Sequence, residues 1–292
     1  MAPGKNRSFD FDDVIHNICG TSPFALPIRF MEARLIVAVF VFFGVISTPR
    51  AADSSAVLNK NAPGHQDVAV PLAWGDGTKI LVVGGGTSHD FQKWFNEADV
   101  ATLRAAGKCS VNYTESSATA TKALAEADVL VSSTNQKGFD TPAFRAALMK
   151  FADSGKGIVL LHPAVWYNWP WPEYNEQLVG GGARGHESVG KYSVDVVAQH
   201  QVTRGLPANF QVTDELYHMT VDPKGAPIEI LAKASTARGV NYPSIWLVSH
   251  PRARIVAIAL GNDGRVHELP EYKKLLANAV AWAAGGSAAK AR

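Results

Sequence analysis

The sequence predicts an α/β fold built on a parallel sheet, and three observations predict it. Short, wholly apolar runs recur through the middle of the chain. Segments with helical spacing separate them. Glycines and histidines gather just beyond the ends of the runs, where a parallel sheet opens its crevice.

The first run, Lys79–Val83, ends in Gly84-Gly85-Gly86, as a buried strand followed by a tight turn would. Phe91–Ala106 has helical spacing, with Phe91, Phe95, Ala98, Thr102 and Ala105 on one side and Gly107 as the stop. Cys109–Tyr113 reads as a second strand, Ala118–Ala125 as a short helix and Asp128–Ser132 as a third strand. Thr141 and Pro142 fit the N-cap and first position of a helix running to Asp153. Gly157–Leu161 is the fourth strand. Beyond Trp166, the runs Tyr192–Ala198, Ile228–Ala232, Ser244–Val248 and Arg254–Leu260 follow one another without long helices, which predicts a β-rich C-terminal extension. Tyr272–Ala284 is a terminal amphipathic helix.

Composition narrows the function. The chain is 47% hydrophobic and 18% charged, which suits a packed core rather than a disordered segment. A formal charge of +2 over 292 residues, with Lys and Arg scattered, excludes a nucleic-acid groove. Leu35–Ile46 is a twelve-residue apolar run behind Arg34, with small residues after it, the parts of a secretory signal peptide. As a helix it would rise only about 18 Å, too short for a stable membrane anchor. The expected organisation is an upstream extension over 1–30, a signal peptide over 31–52, a linker over 53–77, one domain over 78–286 and a tail over 287–292. The expected location is therefore exported, in the periplasm. Only Cys109 follows the signal, so no intramolecular disulfide is expected, and its strand position suits a small buried residue.

The residues at the strand ends carry the chemistry. Gly84-x-Gly86 matches two glycines of the dinucleotide fingerprint, but the third position is His89, which argues against such a cofactor. Gly85, Gly86 and Ser88 instead suit a turn that turns backbone and hydroxyl groups toward a polar ligand. The turn after the fourth strand, where a related enzyme would hold Ser or Cys, reads Leu161-His162-Pro163. Ser88 beside His89 is no triad, since adjacent turn residues need not face each other. His65, His200, His250 and His267 read as structural. His89, His162 and His186 each stand at a strand end or a glycine-rich loop, and an imidazole there can move protons, orient a hydroxyl or bind a metal. With Glu215 they would make a three-nitrogen, one-carboxylate cluster able to hold a divalent metal, although no HxxxH-type spacing marks one. The aromatic stretch Trp166–Tyr174 suits either a packed flap or a sugar platform.

Taken in order, ILVVGGGTSHDF, GKGIVLLHPAVW, Tyr174, GGGARGHES, QHQVTRGLPANFQVTDELYH, ARIVAIALGNDGR and NAVAWAAGG resemble the ThuA-like (trehalose utilisation) family of the class I glutamine amidotransferase-like superfamily. The resemblance covers about residues 78–286. It implies a flavodoxin-like parallel sheet with helices on both faces. It also implies a lost glutaminase function, His162 standing where the superfamily's elbow cysteine would be. His89, His162, His186, Glu215 and Tyr217 are the implied pocket residues. Pro163 and the tryptophans after it depart from the alanine-rich segment common in the family and imply a reshaped pocket. The expected function is processing of a glycoside or oxidised (3-keto) sugar. His162 or His89 would be the general base and Glu215 its partner, with Trp166, Tyr174 and Tyr217 holding a small-molecule sugar. The alternatives are a non-catalytic sugar-binding protein and a metal-dependent hydrolase.

Overall fold

The computed structural model describes residues 67–134 and 139–288. The apolar run at Leu35–Ile46 and His65 lie outside them, and no helix among the described residues is long and apolar enough to cross a membrane.

The described residues hold eleven strands: β1 (Thr78–Val83), β2 (Cys109–Thr114), β3 (Val129–Ser132), β4 (Gly157–Leu161), β5 (Gly181–His186), β6 (Gly190–Val196), β7 (Asn209–Asp214), β8 (Tyr217–Val221), β9 (Ile228–Ser235), β10 (Asn241–Ser249) and β11 (Arg254–Ile258). Nine form one sheet in the order β2-β1-β3-β4-β11-β10-β9-β6-β7, and β5 pairs with β8 in a second, two-stranded sheet. The first five in that order run parallel. The remaining four continue the sheet by antiparallel pairing. The parallel sheet and its β-rich C-terminal extension, as expected, are thus joined in one mixed sheet. The last strand, β11, inserts beside β4 and joins the two regions.

The inner parallel strands are buried on both faces, which is why β1, β3 and β4 read as apolar runs. Alternate residues of each strand feed opposite cores. Ile80, Val82, Val159 and Leu161 pack with α1 (Val100–Ala106) and the C-terminal helix α4 (Pro270–Ala288), through Leu103, Leu275 and Leu276. Leu81, Val83, Ile158 and Leu160 pack with α2 (Ser117–Ala123) and α3 (Pro142–Asp153), through Ala120, Phe144 and Leu148. The Thr141 hydroxyl caps α3 by accepting from Phe144 N–H, with Pro142 at the first position as its sequence predicts.

The first helix departs from its expected face. It opens with wide π-type turns over Gln92–Asp99 before continuing as α1. Phe91, Phe95, Asp99 and Leu103, four apart, are buried, whereas Ala105 is exposed. Residues 67–77 are irregular but fixed to the body. Val70 N–H donates to Thr119 Oγ1, and the Asn112 carboxamide donates to the Ala73 carbonyl. Cys109 is half-buried, with its thiol against the Leu103 carbonyl, and burial raises its pKa.

Candidate active site

Parallel pairing in register brings the site together. Leu161 at the end of β4 stands opposite Ile258 at the end of β11, so the next residues, His162 and Ala259, leave the sheet side by side. His162 is fully buried at the start of a short 3-10 turn, His162–Val165, with φ +30, a left-handed backbone unusual for a residue with a Cβ. Its Nδ1 lies 2.6 Å from the Ala259 carbonyl oxygen. A carbonyl only accepts, so that hydrogen bond assigns the proton to Nδ1 and leaves the Nε2 lone pair free. Nε2 is buried without a hydrogen-bond partner, 3.6 Å from Glu215 Oε2. At that distance the contact is electrostatic rather than a hydrogen bond.

His89 arrives from the end of β1. Gly85 and Gly86 have φ of +125 and +131, which only glycine adopts without strain, and a Cβ on Gly84 would strike the Tyr113 ring. This turn delivers the His89 ring perpendicular to that of His162, with centroids 4.9 Å apart. Ser88 Oγ stands 2.7 Å from His89 Nδ1, so these adjacent side chains do meet, contrary to expectation. Ser88 is exposed, and His89 Nε2 is buried without a hydrogen-bond partner. Burial, reinforced by His162, pushes the His89 pKa down to about 4 against the opposing pull of Glu215 and Asn262. It is a neutral imidazole at neutral pH.

Glu215 closes the cluster from the turn between β7 and β8. Its other carboxylate oxygen, Oε1, is 3.7 Å from His186 Nδ1. Where His162 is also protonated on Nε2, its contact holds the Glu215 carboxyl below its ordinary range, helped by the charge of a protonated His186 against partial burial. His186, at the end of β5, has a side chain 39% exposed, and its Nδ1 lies 3.0 Å from the Glu187 carbonyl. Tyr217 stacks on His162 with centroids 4.2 Å apart, and Trp166 stands edge-on 5.4 Å from Tyr217 and 5.8 Å from His186. Thus His89, His162, His186, Glu215, Trp166 and Tyr217 share one cluster. Tyr174 does not join it. Its ring is buried behind the 3-10 turn and its hydroxyl donates to the Ala164 carbonyl, bracing the turn.

Two supports were not read from the sequence. Asp214 is buried and accepts from the N–H groups of Gly261, Asn262 and Glu215, each at 2.9 Å. Burial raises its pKa, although His162 and those donors oppose this. The Asp-Glu doublet and the Gly261-Asn262-Asp263 turn were the available signals. Further in, His267 Nδ1 meets Asp99 Oδ1 at 2.7 Å and Nε2 meets the Gly261 carbonyl at 3.1 Å. Tyr272 also donates to Asp99. Burial alone would lower the His267 pKa, but the Asp99 charge and hydrogen bond, with the Gly261 carbonyl, outweigh it and raise it. The structural reading of His200 and His250 agrees with their Nδ1 atoms accepting backbone N–H groups.

The mixed sheet, with a buried histidine rather than Ser or Cys at the turn after β4, defines an α/β protein whose strand-end cluster is built on imidazoles. The ThuA family profile, described as trehalose utilisation, matches residues 79–283, and the chain belongs to that family. A ThuA-like protein from Parabacteroides merdae is 20% identical, with a TM-score of 0.63 over 72% of this chain and 91% of that one. Another from Bacteroides uniformis is 21% identical, with a TM-score of 0.58 over 74% and 95%. At these identities the likeness extends to the fold. No curated protein matches the chain.

Proposed function

We propose that this protein is an exported carbohydrate-processing enzyme that acts on a glycoside or an oxidised (3-keto) sugar by histidine acid/base chemistry. The observation carrying this reading is the convergence of His89, His162 and Glu215 beside the Trp166 and Tyr217 rings. Sugars offer hydroxyl donors and flat C–H faces, and the cluster offers acceptors and ring walls that match them.

Burial divides the labour differently from the sequence expectation. His89 and His162 present buried, unpartnered ring nitrogens in a sheltered place, which suits holding substrate hydroxyls. His186 meets solvent and Glu215 together, which suits carrying a proton between them. A carbon next to a 3-keto group is acidic, so its proton can be removed at this site and returned to a neighbouring atom or to solvent. Export rests on the Leu35–Ile46 run, and N-terminal sequencing of the mature chain after cell fractionation tests it.

The test of activity is a panel of glycosides and their 3-keto derivatives with product detection. Turnover of at least one, lost in His186→Ala and Glu215→Gln, supports the reading. Sugar binding without turnover across the panel would replace it with a binding protein.

A further inference from the structure

We infer that His89, His162 and Glu215 form a binding site for a divalent transition-metal ion. Among the described residues this is the set of ligand-type side chains that comes together: one ligating atom from each lies within 4.8 Å of the other two. Two are imidazole nitrogens and one is a carboxylate oxygen; with the His89 proton on Nδ1, given to Ser88 Oγ, all three are acceptors. Three converging acceptors require something electron-poor between them.

One edge of the group is near the spacing of a coordination shell, and small side-chain adjustments within the 4.8 Å spread would bring all three atoms onto one ion. Ligands about 2.1 Å from a common ion stand about 3.0–3.4 Å apart in octahedral or tetrahedral geometry. The 3.6 Å between His162 Nε2 and Glu215 Oε2 is too long for a hydrogen bond but close to such an edge. His162 has no exposed surface, yet its Nε2 has no hydrogen-bond partner. His89 Nε2 is buried and unpartnered in the same way. A buried polar atom left so is costly, and an ion would satisfy both nitrogens at once.

Around the three ligands stands the support that metal sites use. His162 donates its other nitrogen to the Ala259 carbonyl, and His89 Nδ1 meets Ser88 Oγ. Such outer contacts fix which nitrogen faces an ion and how the ring is turned. The backbone of Glu215 is held at both ends, its N–H by Asp214 and its carbonyl by Tyr192. His186 lies against the other oxygen of Glu215 and stands outside the set. Two imidazoles select zinc, cobalt or iron(II) over magnesium and calcium. Three protein ligands leave coordination positions for water or for adjacent sugar oxygens, a use that rests on the carbohydrate reading, whereas the site itself does not.

The experiment uses the full chain, purified without a histidine tag, stripped with chelator and titrated with Zn²⁺, Co²⁺ and Mg²⁺ by calorimetry. Visible absorption is followed for Co²⁺. The expected result is one equivalent of Zn²⁺ or Co²⁺, little affinity for Mg²⁺, and at least a hundredfold weaker binding in His89→Ala and in Glu215→Gln. His186→Ala should bind within about threefold of the wild type, and circular dichroism checks that each variant is folded. Absence of stoichiometric uptake overturns the proposal, as does uptake unchanged in folded His89→Ala and Glu215→Gln. Metal uptake without sugar turnover supports the site and counts against the carbohydrate reading. Turnover by a metal-free sample that takes up no metal does the reverse.

Discussion

His162 donates its Nδ1 proton to the carbonyl oxygen of Ala259 at 2.6 Å, a link between residues that follow two neighbouring parallel strands. The sheet register thereby fixes the tautomer of the residue at the centre of the site. Substitutions that leave the sheet intact should therefore separate stability from chemistry.

The left-handed backbone at His162 sets which replacements the turn accepts. Asparagine enters that region more readily than alanine, by roughly 1 kcal/mol. His162→Asn should therefore unfold at a higher urea concentration than His162→Ala. Equal midpoints would show that the turn relaxes when the imidazole leaves.

Asp214 holds three backbone N–H groups that position Glu215 and Asn262. In Asp214→Asn an amide –NH₂ must face at least one of them. The expected loss is about 2 kcal/mol in urea unfolding, with kcat/KM falling about tenfold. An unchanged kcat/KM would mean that the loop holds its place without the carboxylate.

The buried Asp99–His267 pair predicts a pH dependence of stability. Its folded histidine pKa is raised above the unfolded value of about 6.5, so its contribution is complete below that pH and is lost as pH rises through the folded value. Burial raises the Asp99 pKa as well, which acts in the same direction. Wild-type protein should be less stable at pH 8 than at pH 6. His267→Gln should lose about 3 kcal/mol at pH 6 and show a smaller difference between the two. Urea titrations at both pH values measure this.

Gly157 begins β4 against the last helix. A Cβ there would lie 2.6 Å from the Ala283 carbonyl oxygen, and a helix backbone cannot move aside as a flexible side chain can. Gly157→Ala should cost about 2 kcal/mol or more in urea unfolding. A smaller loss would show that α4 shifts freely on the sheet.

Much of this fold was legible because parallel strands buried on both faces leave apolar runs. Lys79–Val83 and Gly157–Leu161 needed no more than that. β5 and β8 were not legible, since Gly181–His186 lacks branched apolar residues and is held mainly by backbone pairing. β7, with alternating burial over Asn209–Asp214, carries only a weak period-two signal, because its buried positions include Asp214. At the site, the strand-end position pointed to His89 and His162, and glycine context pointed to His186. The contact of His267 with Asp99 spans 168 residues, so no local pattern announces it. Tyr174 shows the converse, an aromatic residue near a pocket whose hydroxyl is already used inside the protein.

Trp166 tests the ring wall on its own. Its indole stands against Tyr217 and His186, the pair nearest the cluster. If sugar stacks there, Trp166→Ala should raise KM about tenfold and change kcat much less. A loss confined to kcat would place the ring in the chemistry rather than in binding.

The central claim is that the cluster around His162 processes a sugar, and the most direct measurement compares turnover with binding in one variant. For a 3-keto glycoside converted by the wild type, folded His162→Asn should lose roughly a hundredfold or more in kcat/KM while Trp166 and Tyr217 still support measurable sugar binding. Wild-type turnover in that variant would contradict the account.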